Sequence, residues 1–380
     1  MRPNILHITF DYAEENVGKS TVVVRDLIKE SSKFTDTKII SLRRDINPFK
    51  EKLEITSENF ISYKHFGLPY GIGIKTNMDR IGRPLKKILY RNTNFDIVHA
   101  HKLTYEGFIG YYIANKMNKK LLISIRQTDF FVLKYRKDLI ELSKKILLYS
   151  SIIFYIAPYM LNRIKNIFGE EFYKIIENKL FFLPNSLDFS KFHFYSGPRE
   201  KHYLSAFWME KKSVKRKNVR GLFEAVKLLN DSDFRLQIIG YGSYENELKS
   251  WTKELGIENN IMFLGFVDNK EISKYISKSM GFLLPSFSET FGVVYAEALL
   301  CGTPILYSKN TGFDGVFENV GVSVDPHSVQ DIAAGIKTIN EKNEDFIMSI
   351  KELYTSNKFD IFKKESVALN YFNVINNLLL

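Results

Sequence analysis

Short apolar segments alternate with amphipathic segments along the whole chain. The apolar segments have the length of single strands, and the segments between them carry apolar residues at helical spacing. Residues 5–10 predict a first strand, and residues 20–31 predict the helix that follows it. The further strands predicted in this half are 38–42, 60–63, 97–100, 121–125, 152–156 and 179–183. This alternation is typical of a parallel α/β sheet.

The same alternation starts again in the second half. Each predicted strand is followed there by a predicted helix, and the strands are 203–207, 235–239, 261–264, 281–284, 303–306 and 320–324. The segment between the two series, 189–202, is polar and contains Gly197-Pro198, so it predicts a linker. A chain of 380 residues is also long for one hydrophobic core.

These two series predict two Rossmann-like, doubly wound α/β domains facing across a cleft. The N-terminal domain is expected at residues 1–190 and the C-terminal domain at 200–360, and a helix at 361–380 is expected to pack back toward the first domain. In doubly wound folds, ligands bind at the carboxyl ends of the strands. The loops that follow the strands are therefore where functional residues are expected.

Composition narrows the class of protein. With 45% hydrophobic and 26% charged residues, the chain resembles ordinary globular proteins. The single cysteine, Cys301, can form neither an internal disulfide nor a cysteine cluster, which suits a reducing compartment. No signal peptide is expected, since Met1-Arg2-Pro3-Asn4 leads directly into the first strand, and no apolar stretch reaches the ~20 residues of a membrane span. A cytoplasmic location is expected.

The net charge of +11 predicts an acidic partner. Two basic segments, 80–91 and 134–145, also carry apolar residues at helical spacing. If Pro84 begins a helix, Lys87 and Arg91 lie opposite its apolar face. Each segment fits either the solvated face of a core-packed helix or a helix on an anionic membrane surface. The basic residues follow no nucleic-acid recognition module, so no nucleic-acid partner is expected.

Residues 285–304, PSFSETFGVVYAEALLCGTP, combine a strand end, a polar loop and the start of a helix. The helix is expected to begin near Gly292 and to stop at Gly302-Thr303-Pro304. Peptide N–H groups near Phe291, Gly292 and Val293 would then lack partners within the helix. Together with the helix dipole, they suit a diphosphate.

Two glutamates of this segment have suitable chemistry for a sugar nucleotide. Glu297, in the predicted helix, can accept hydrogen bonds from two vicinal hydroxyls such as those of a ribose, and Glu289, ahead of the helix, is placed for a sugar. A structural interpretation also fits, because the dipole stabilises a glutamate before a helix and a glutamate within a helix is usually solvated. From the spacing alone, both interpretations remain open.

The segment resembles the E-x7-E motif of the retaining group 1 glycosyltransferases, which have the two-domain GT-B fold. Glu289 and Glu297 are separated by seven residues and flanked by Pro-Ser-x-x-Glu-x-Phe-Gly and Glu-Ala-x-x-x-Gly-x-Pro-Ile. Four further segments are similar to that family in order and spacing: LPNSLD at 183–188, Lys217-Asn218 before GLFEAVKLL, IGYGS at 239–243 and FLGFV at 263–267. The resemblance is close over residues 180–340 and loose over residues 1–130.

This resemblance implies a role for each matching residue. Glu297 would bind the ribose of the donor and Glu289 its hexose, while Lys217 would neutralise the diphosphate as the leaving group gains charge. The other residues implied at the nucleotide are Phe291, Gly292, Val293, Gly240, Val267, Lys212 and Arg216. The family has an arginine at the position of Lys212, so it stays open whether Lys211, Lys212 or Arg216 accompanies Lys217. The resemblance implies a UDP-sugar as donor, with no metal and no cofactor.

The first half departs from the family pattern after its first strand. Gly18 is the single glycine where the family has a pair near the donor phosphates and the acceptor. Gly18-Lys19-Ser20 also fits a relaxed P-loop, in which Lys19 would reach phosphates and Ser20 a Mg²⁺. Against a P-loop, Ala13 replaces its first glycine, and no predicted strand ends in a Walker-B-type aspartate.

A second departure lies at residues 124–129, where Arg126 occupies the family's histidine position and Asp129 matches. An arginine there suits an acidic sugar or a phosphate of the acceptor. Residues 96–101 end the preceding strand with His99 and His101. The two histidines are expected to alternate along the strand, so that only one, with His101 as the candidate, faces the ligand.

Together these features predict a retaining glycosyltransferase. It would move a sugar from a nucleoside-diphosphate sugar to a hydroxyl of a glycan or lipid-linked acceptor, in the assembly of bacterial surface polysaccharide, capsule or lipid-linked glycan. The alternatives are a P-loop-like NTPase or kinase and a sugar-nucleotide epimerase with the GT-B fold. The basic segments add the hypothesis of a peripheral position on the inner face of the plasma membrane.

Overall fold

The computed structural model describes residues 2–10, 12, 22–68, 72–92, 94–268 and 270–379. The chain divides into two compact units. The first unit contains Met1–Ile156, Met160–Ser186 and Lys364–Leu380, and the second contains Ala157–Tyr159 and Leu187–Lys363. The chain passes from the first unit to the second between Ser186 and Leu187, just ahead of the predicted linker.

The first unit is built on one sheet. Among the described residues its strands are β1 (Asn4–Phe10), β2 (Asp36–Asp45), β3 (Lys52–Ser57), β4 (Phe60–Phe66), β5 (Ile97–Ala100), β6 (Lys120–Ile125), β7 (Ile152–Tyr155) and β8 (Leu180–Phe182). They are arranged in the order β3-β4-β2-β1-β5-β6-β7-β8, and only β3 pairs antiparallel. The central strands β1 and β5 to β7 are buried almost throughout, as expected when helices cover both faces of a sheet.

Helices alternate with these strands. They are α1 (Val22–Ser31), α2 (Ile74–Asn92), α3 (Glu106–Met117), α4 (Gln127–Tyr135), α5 (Ile140–Tyr149), α6 (Tyr159–Phe168) and α7 (Glu170–Ile176).

The second unit repeats the design on a smaller sheet. Its described strands are β9 (Glu200–Ala206), β10 (Leu236–Ile239), β11 (Ile261–Gly265), β12 (Ser279–Leu283), β13 (Ile305–Ser308) and β14 (Gly321–Val324), all parallel, in the order β11-β10-β9-β12-β13-β14. The helices of this unit are α8 (Lys211–Arg216), α9 (Val219–Leu229), α10 (Glu245–Leu255), α11 (Ile272–Lys278), α12 (Val293–Leu300), α13 (Val329–Glu341) and α14 (Asn343–Thr355).

The strand order of each sheet reverses at the first strand of its unit. β1 lies between β2 and β5, and β9 lies between β10 and β12. Such a reversal opens a crevice for ligands at the carboxyl ends of the flanking strands. The predicted fold class, two doubly wound α/β units, is therefore confirmed.

The last helix of the chain, α15 (Lys364–Leu379), packs against the first sheet. Its buried face carries Val367, Tyr371 and Ile375, which share a core with Ile5, Leu27, Ile97, Leu122, Ile152, Phe154 and Leu183. Lys364, at the start of the helix, pairs with Asp26 of α1 at 2.8 Å. Residues far apart in the sequence thus complete one core.

Three local features differ from the sequence prediction. The pattern does not predict β3, an exposed edge strand whose sequence KLEITS buries no complete face. Pro84 lies inside α2 rather than at its start, where it removes one helical hydrogen bond without ending the helix. The predicted basic helix at 134–145 is divided, because α4 ends at Tyr135 and α5 begins at Ile140.

None of the described helices is both long enough and apolar enough to cross a membrane.

Three histidines form a fully buried cluster in the first unit. His7 Nδ1 and His101 Nε2 are 3.0 Å apart, while His99 contacts the Tyr371 hydroxyl at 2.8 Å and the Ser124 hydroxyl at 2.9 Å. The rings of His99 and His101 lie 4.1 Å apart. The expectation that they alternate is wrong, because residues two apart on a strand share a face.

Burial keeps this cluster neutral. It lowers the pKa of His7 to about 3 and holds the pKa values of His99 and His101 well below their usual range. The unfolded chain therefore binds protons that the folded chain excludes, and stability must fall as the pH drops below the unfolded value of about 6.5.

Acidification is expected to destabilise the protein through these histidines. Each contributes up to ~1.4 kcal/mol of lost unfolding free energy per pH unit below about 6.5. We measure the free energy of unfolding in urea between pH 7.5 and 5.5. We expect His7→Asn to lower its dependence on pH by the equivalent of about one proton, because the variant has one histidine fewer that binds a proton only on unfolding. The matched control is His193→Asn at an exposed position. A slope unchanged by His7→Asn would mean that the cluster does not exclude protons.

Candidate active site

The loop between β12 and α12 carries most of the candidate residues. The Tyr295 hydroxyl donates to the Leu284 carbonyl at 2.5 Å, which ties the first turn of α12 to the strand end. Gly292, just before the helix, has a φ of +78°. A Cβ at Gly292 would also lie 2.4 Å from the Tyr295 ring. Glycine suits this position because it adopts a positive φ without strain and leaves the ring its space.

The amino end of α12 presents peptide N–H groups. The first four N–H groups of a helix have no acceptor within it and carry the positive end of its dipole. The Phe291 side chain is buried against Phe313 and Phe362, so this residue can offer only its peptide to a ligand. The peptides of Phe291, Gly292 and Val293 thus lie where the sequence predicts an anion site.

An ion pair joins two residues that the sequence identified separately. The Lys217 ammonium donates to Glu289 Oε1 at 2.5 Å, and the two side chains are only 13% and 11% exposed. Lys217 follows α8 directly, and Asn218 adopts a left-handed conformation before α9. The Asn218 side chain fixes this turn by donating to the Pro326 carbonyl at 2.7 Å.

The backbone of Glu289 is fixed from three directions. Its N–H lies 2.8 Å from the Thr311 hydroxyl oxygen, and its carbonyl accepts from the Gly312 N–H at 3.2 Å and from the Tyr159 hydroxyl at 3.0 Å. The segment after β13, which contains Thr311 and Gly312, therefore holds the loop that carries Glu289. The carboxylate is presented by a fixed backbone.

Glu297 is placed on the inner part of α12 and has a different environment. Within the described part of the chain, no donor forms a hydrogen bond or ion pair with its carboxylate. Burial raises the pKa of Glu297 to about 7, an effect that nearby Lys191 partly offsets. The partly buried carboxylate is therefore available to accept hydrogen bonds from ligand hydroxyls.

The two basic candidates beside Lys217 lie on α8. Lys212 and Arg216 are exposed and one helical turn apart, so they share a face of the helix. The Arg216 carbonyl accepts from the Phe287 N–H at 2.9 Å, which places the end of α8 beside the β12–α12 loop. Both side chains therefore remain candidates for the second cation of a diphosphate site.

Two candidates follow the strands on the other side of β9. Gly240 follows β10 with a φ of +148°, and a Cβ there would lie 1.9 Å from the Phe207 carbonyl oxygen. Glycine thus permits the close approach of two strand ends. Val267 follows β11 and is partly exposed.

Sequence reasoning missed three aromatic residues at this edge. Trp208, Tyr241 and Phe266 follow β9, β10 and β11, and each is between 45% and 65% exposed. The Tyr241 ring lies 4.9 Å from that of Trp208 and 5.3 Å from that of Phe266. Aromatic surface of this extent suits the stacking of a planar ligand such as a nucleobase. The available signal was an aromatic residue just after each of three successive predicted strands.

The first-unit candidates separate into different roles. Gly18 lies outside the described residues. His101 is a correction to the predicted site, since its ring is buried and bonded to His7 rather than turned toward a ligand. Asp129 is also buried, and its carboxylate accepts from the Thr104 N–H, the Thr104 hydroxyl and the Arg126 N–H at 2.6–2.8 Å. Asp129 therefore positions the end of β6.

Arg126 is the first-unit candidate best placed for a ligand. Its Nε donates to the His101 carbonyl at 3.0 Å, and the side chain is partly exposed. Burial lowers the pKa of Arg126, although Glu106 and Asp129 counteract this. Its two terminal nitrogens form no hydrogen bond within the described residues, so they can serve an anion.

The histidine cluster has only part of what a metal site needs. One ring nitrogen from each of His7, His99 and His101 lies within 4.8 Å of the others. His99 uses both nitrogens on Tyr371 and Ser124, however, and His7 and His101 bond to each other. No carboxylate of the described chain joins the group to balance a cation. The cluster is better described as a hydrogen-bonded core.

Comparison with known proteins gives a family match within the second unit. Residues 206–352, which include Lys217, Glu289 and Glu297, match the family model of the glycosyl transferases group 1. Over 125 residues the chain is 34% identical to O-antigen chain mannosyltransferase B of Escherichia coli, an alignment that covers 32% of this chain and 33% of that protein. The chain thus spans about a third of the length of this curated relative.

Solved structures share the fold along the whole chain. Sucrose-phosphate synthase of Thermosynechococcus elongatus matches with a TM-score of 0.71 at 16% identity, covering 100% of this chain and 99% of that one. Anabaena Alr3699/HepE in complex with UDP matches with a TM-score of 0.69 at 14% identity, covering 99% and 100% of the two chains. This chain therefore has the GT-B fold.

Binding of a nucleoside diphosphate is expected to release protons from Glu297. Ribose hydroxyls that donate to the carboxylate favour its charged form, so the pKa should fall from about 7. Affinity should then rise by up to about tenfold from pH 6 to pH 8. Calorimetry in buffers of different ionisation enthalpy measures the protons released.

The matched variant is Glu297→Gln, in which affinity falls and the additional proton release disappears. Titration of the nucleotide's own phosphate is common to both proteins and cancels. Equal proton release and equal affinity in the two proteins would remove Glu297 from the nucleotide site.

A stacking base is expected to quench Trp208 fluorescence. The chain has two tryptophans, and Trp251 lies elsewhere, beneath the Arg220 guanidinium at 5.4 Å. Titration with UDP should quench wild-type protein and Trp251→Phe to a similar degree, and should leave Trp208→Phe unaffected. Quenching retained in Trp208→Phe would place the base away from the aromatic cluster formed by Trp208, Tyr241 and Phe266.

Proposed function

We propose that the protein, whose residues 206–352 match the family model of the group 1 glycosyltransferases, transfers a sugar from a nucleoside-diphosphate sugar to an acceptor hydroxyl with retention of the anomeric configuration. The observation that carries this proposal is the Lys217–Glu289 ion pair beside the amino end of α12. A cation, a carboxylate and free peptide N–H groups there match the diphosphate and sugar of one ligand.

The donor spans the strand ends of the second unit in this proposal. The diphosphate lies on the peptides of residues 291–293 and on Lys217, with Lys212 or Arg216 as a second cation. Glu297 accepts from the ribose hydroxyls and Glu289 from the hexose. The base, proposed to be uracil, lies near Gly240 and Val267 against the aromatic cluster. The solved complex of Alr3699/HepE with UDP supports a donor of this class.

The proposed step needs no protein nucleophile. The bond from the anomeric carbon to the diphosphate oxygen breaks, and the acceptor oxygen bonds to that carbon on the same face. The acceptor proton passes to the leaving phosphate. Negative charge on the diphosphate grows as the bond breaks, so the Lys217 ammonium stabilises the transition state more than the bound donor. We expect activity to survive EDTA, because this cation takes the place of a metal.

The acceptor is proposed to bind the first unit at the strand ends around Arg126. A guanidinium there suits a phosphate or an acidic sugar of the acceptor. The relative named as an O-antigen chain mannosyltransferase supports a growing surface polysaccharide or lipid-linked glycan as the acceptor. Such an enzyme would work in the cytoplasm, on the inner face of the plasma membrane.

The replacement Lys217→Ala is expected to lower kcat by about 10²–10³-fold and to change the donor KM much less, because Lys217 acts on charge that develops in the transition state. The substitution also leaves Glu289 buried without its cation, which destabilises the protein. Thermal unfolding of Lys217→Ala and of Lys217→Ala/Glu289→Gln separates this loss of stability from the loss of catalysis, because the double variant has no unpaired carboxylate. Lys217→Arg, which keeps the charge, should retain part of the activity. A loss confined to KM would contradict the leaving-group role.

The reaction class is tested by mass spectrometry with a panel of UDP-, GDP-, ADP- and dTDP-sugars. We expect slow release of sugar from one class of donor without an acceptor, and little release by Glu289→Gln. Hydrolysis of nucleoside triphosphates with no action on sugar nucleotides would instead favour the P-loop alternative.

A further inference from the structure

The turn after β2 exposes apolar side chains to an unusual degree. Phe49 is 96% exposed and Ile46 is 69% exposed. Asn47 caps the turn by accepting from the Phe49 N–H at 3.0 Å, and Pro48 restricts its backbone. The turn thus presents two large apolar side chains on a defined backbone.

This exposed apolar surface continues onto neighbouring segments. The Gly67 N–H donates to the Asp45 carbonyl at 3.0 Å, and the Arg44 guanidinium contacts the Leu68 carbonyl at 3.4 Å. These contacts place Leu68 beside the turn, and Ile72 lies just ahead of α2. Both side chains are about half exposed.

The surface also reaches the end of α4. Lys75, in the first turn of α2, donates to the Asp138 carbonyl at 2.6 Å, which brings α2 next to the segment after α4. Phe131 and Tyr135 of α4 are more than half exposed, with ring centroids 5.1 Å apart. We call the surface formed by Ile46, Phe49, Leu68, Ile72, Phe131 and Tyr135 the apolar edge.

The apolar edge has a defined place on the first sheet. Ile46 follows β2, Leu68 follows β4, and α4 follows β6. These are the carboxyl ends of parallel strands, the same side of the sheet on which Arg126 lies. The apolar edge therefore borders the surface proposed for the acceptor.

Basic side chains surround this apolar surface. Arg43, Lys50, Lys134 and Lys137 are all exposed there. The neighbouring acids are already engaged, since Asp45 pairs with Lys64, Glu51 with Arg80 and Asp138 with Arg136. Exposed aliphatic and aromatic side chains with free cations around them match the chemistry of an anionic bilayer surface.

We propose that the apolar edge inserts into the headgroup region of an anionic bilayer and holds the first unit on the membrane by the side that binds acceptor. The mode of attachment is apolar insertion, with electrostatic attraction as a supplement. The exposed basic face of α2, with Arg83, Lys87 and Arg91, is not the main contact. Only the identity of the membrane-borne acceptor rests on the proposed function.

Co-sedimentation with phosphatidylglycerol-containing vesicles tests this with the full chain. Ile46→Ser/Phe49→Ser removes apolar surface without changing charge, and should weaken binding by at least about tenfold. The control Ile175→Ser removes an equally exposed side chain from α7 and should bind normally. Arg83→Gln/Lys87→Gln/Arg91→Gln should weaken binding by only a few-fold. Unchanged binding of the serine double variant, or loss confined to the glutamine triple variant, would overturn the proposal.

Insertion depth gives a second readout. The only native cysteine, Cys301, is buried, so Phe49→Cys can be labelled with an environment-sensitive dye. We expect its emission to shift to the blue with anionic vesicles, whereas an unshifted emission in vesicle-bound protein would contradict insertion. If the apolar edge binds a protein instead of lipid, the full chain should not bind vesicles, and that result would overturn the proposal. Hydrolysis of sugar nucleotides by the serine double variant should equal that of the wild type, which separates a failed membrane contact from a failed enzymatic assignment.

Discussion

The buried ion pair between Lys217 and Glu289 is the interaction on which the functional edge of the second unit depends. Its two partners come from different connections, the junction of α8 with α9 and the loop between β12 and α12. Neither charge is stable in this environment without the other, so the pair fixes both connections together. The bonds of Asn218 to Pro326 and of Glu289 to Thr311 and Gly312 serve the same end, because they hold each backbone where the partner needs it.

Glu297, the second glutamate of the motif, has the opposite electrostatic situation. Burial raises its pKa to about 7 and no described residue donates to it, whereas Glu289 has its own cation. Of these two carboxylates, one is paired and the other has no donor within the described chain. The Glu297 carboxylate is therefore available to a ligand that supplies hydroxyl donors. The two units also differ in the side chains at their strand ends. Charged side chains lie at the strand ends of the second unit. In the first unit Asp129 and the histidines form internal hydrogen bonds, and Arg126 and the apolar edge lie at the surface.

The amino-acid sequence by itself determined the fold class and predicted the principal candidate site. Buried parallel strands are nearly continuous apolar runs, so all thirteen predicted segments coincide with strands of the described chain. The family resemblance of the segment around Glu289 and Glu297 predicted the anion site, and the first turn of a helix fixes which N–H groups are available there. β3 was not predicted because an exposed edge strand needs no apolar face. Pro84 was expected to begin a helix, but it lies inside α2. Close packing at Gly82, whose missing Cβ leaves room for Tyr112, keeps α2 continuous through Pro84.

Only the tertiary structure decided which distant residues meet. The contact of Lys217 with Glu289 spans 72 positions, and no local pattern encodes it. The same holds for the aromatic cluster of Trp208, Tyr241 and Phe266, which forms because β9, β10 and β11 are neighbours in the sheet. His101 has the sequence of a strand-end ligand, yet it is buried in contact with His7 and His99. Local spacing sets which groups a segment offers, and strand order sets which of them are brought together and which are left exposed to a ligand.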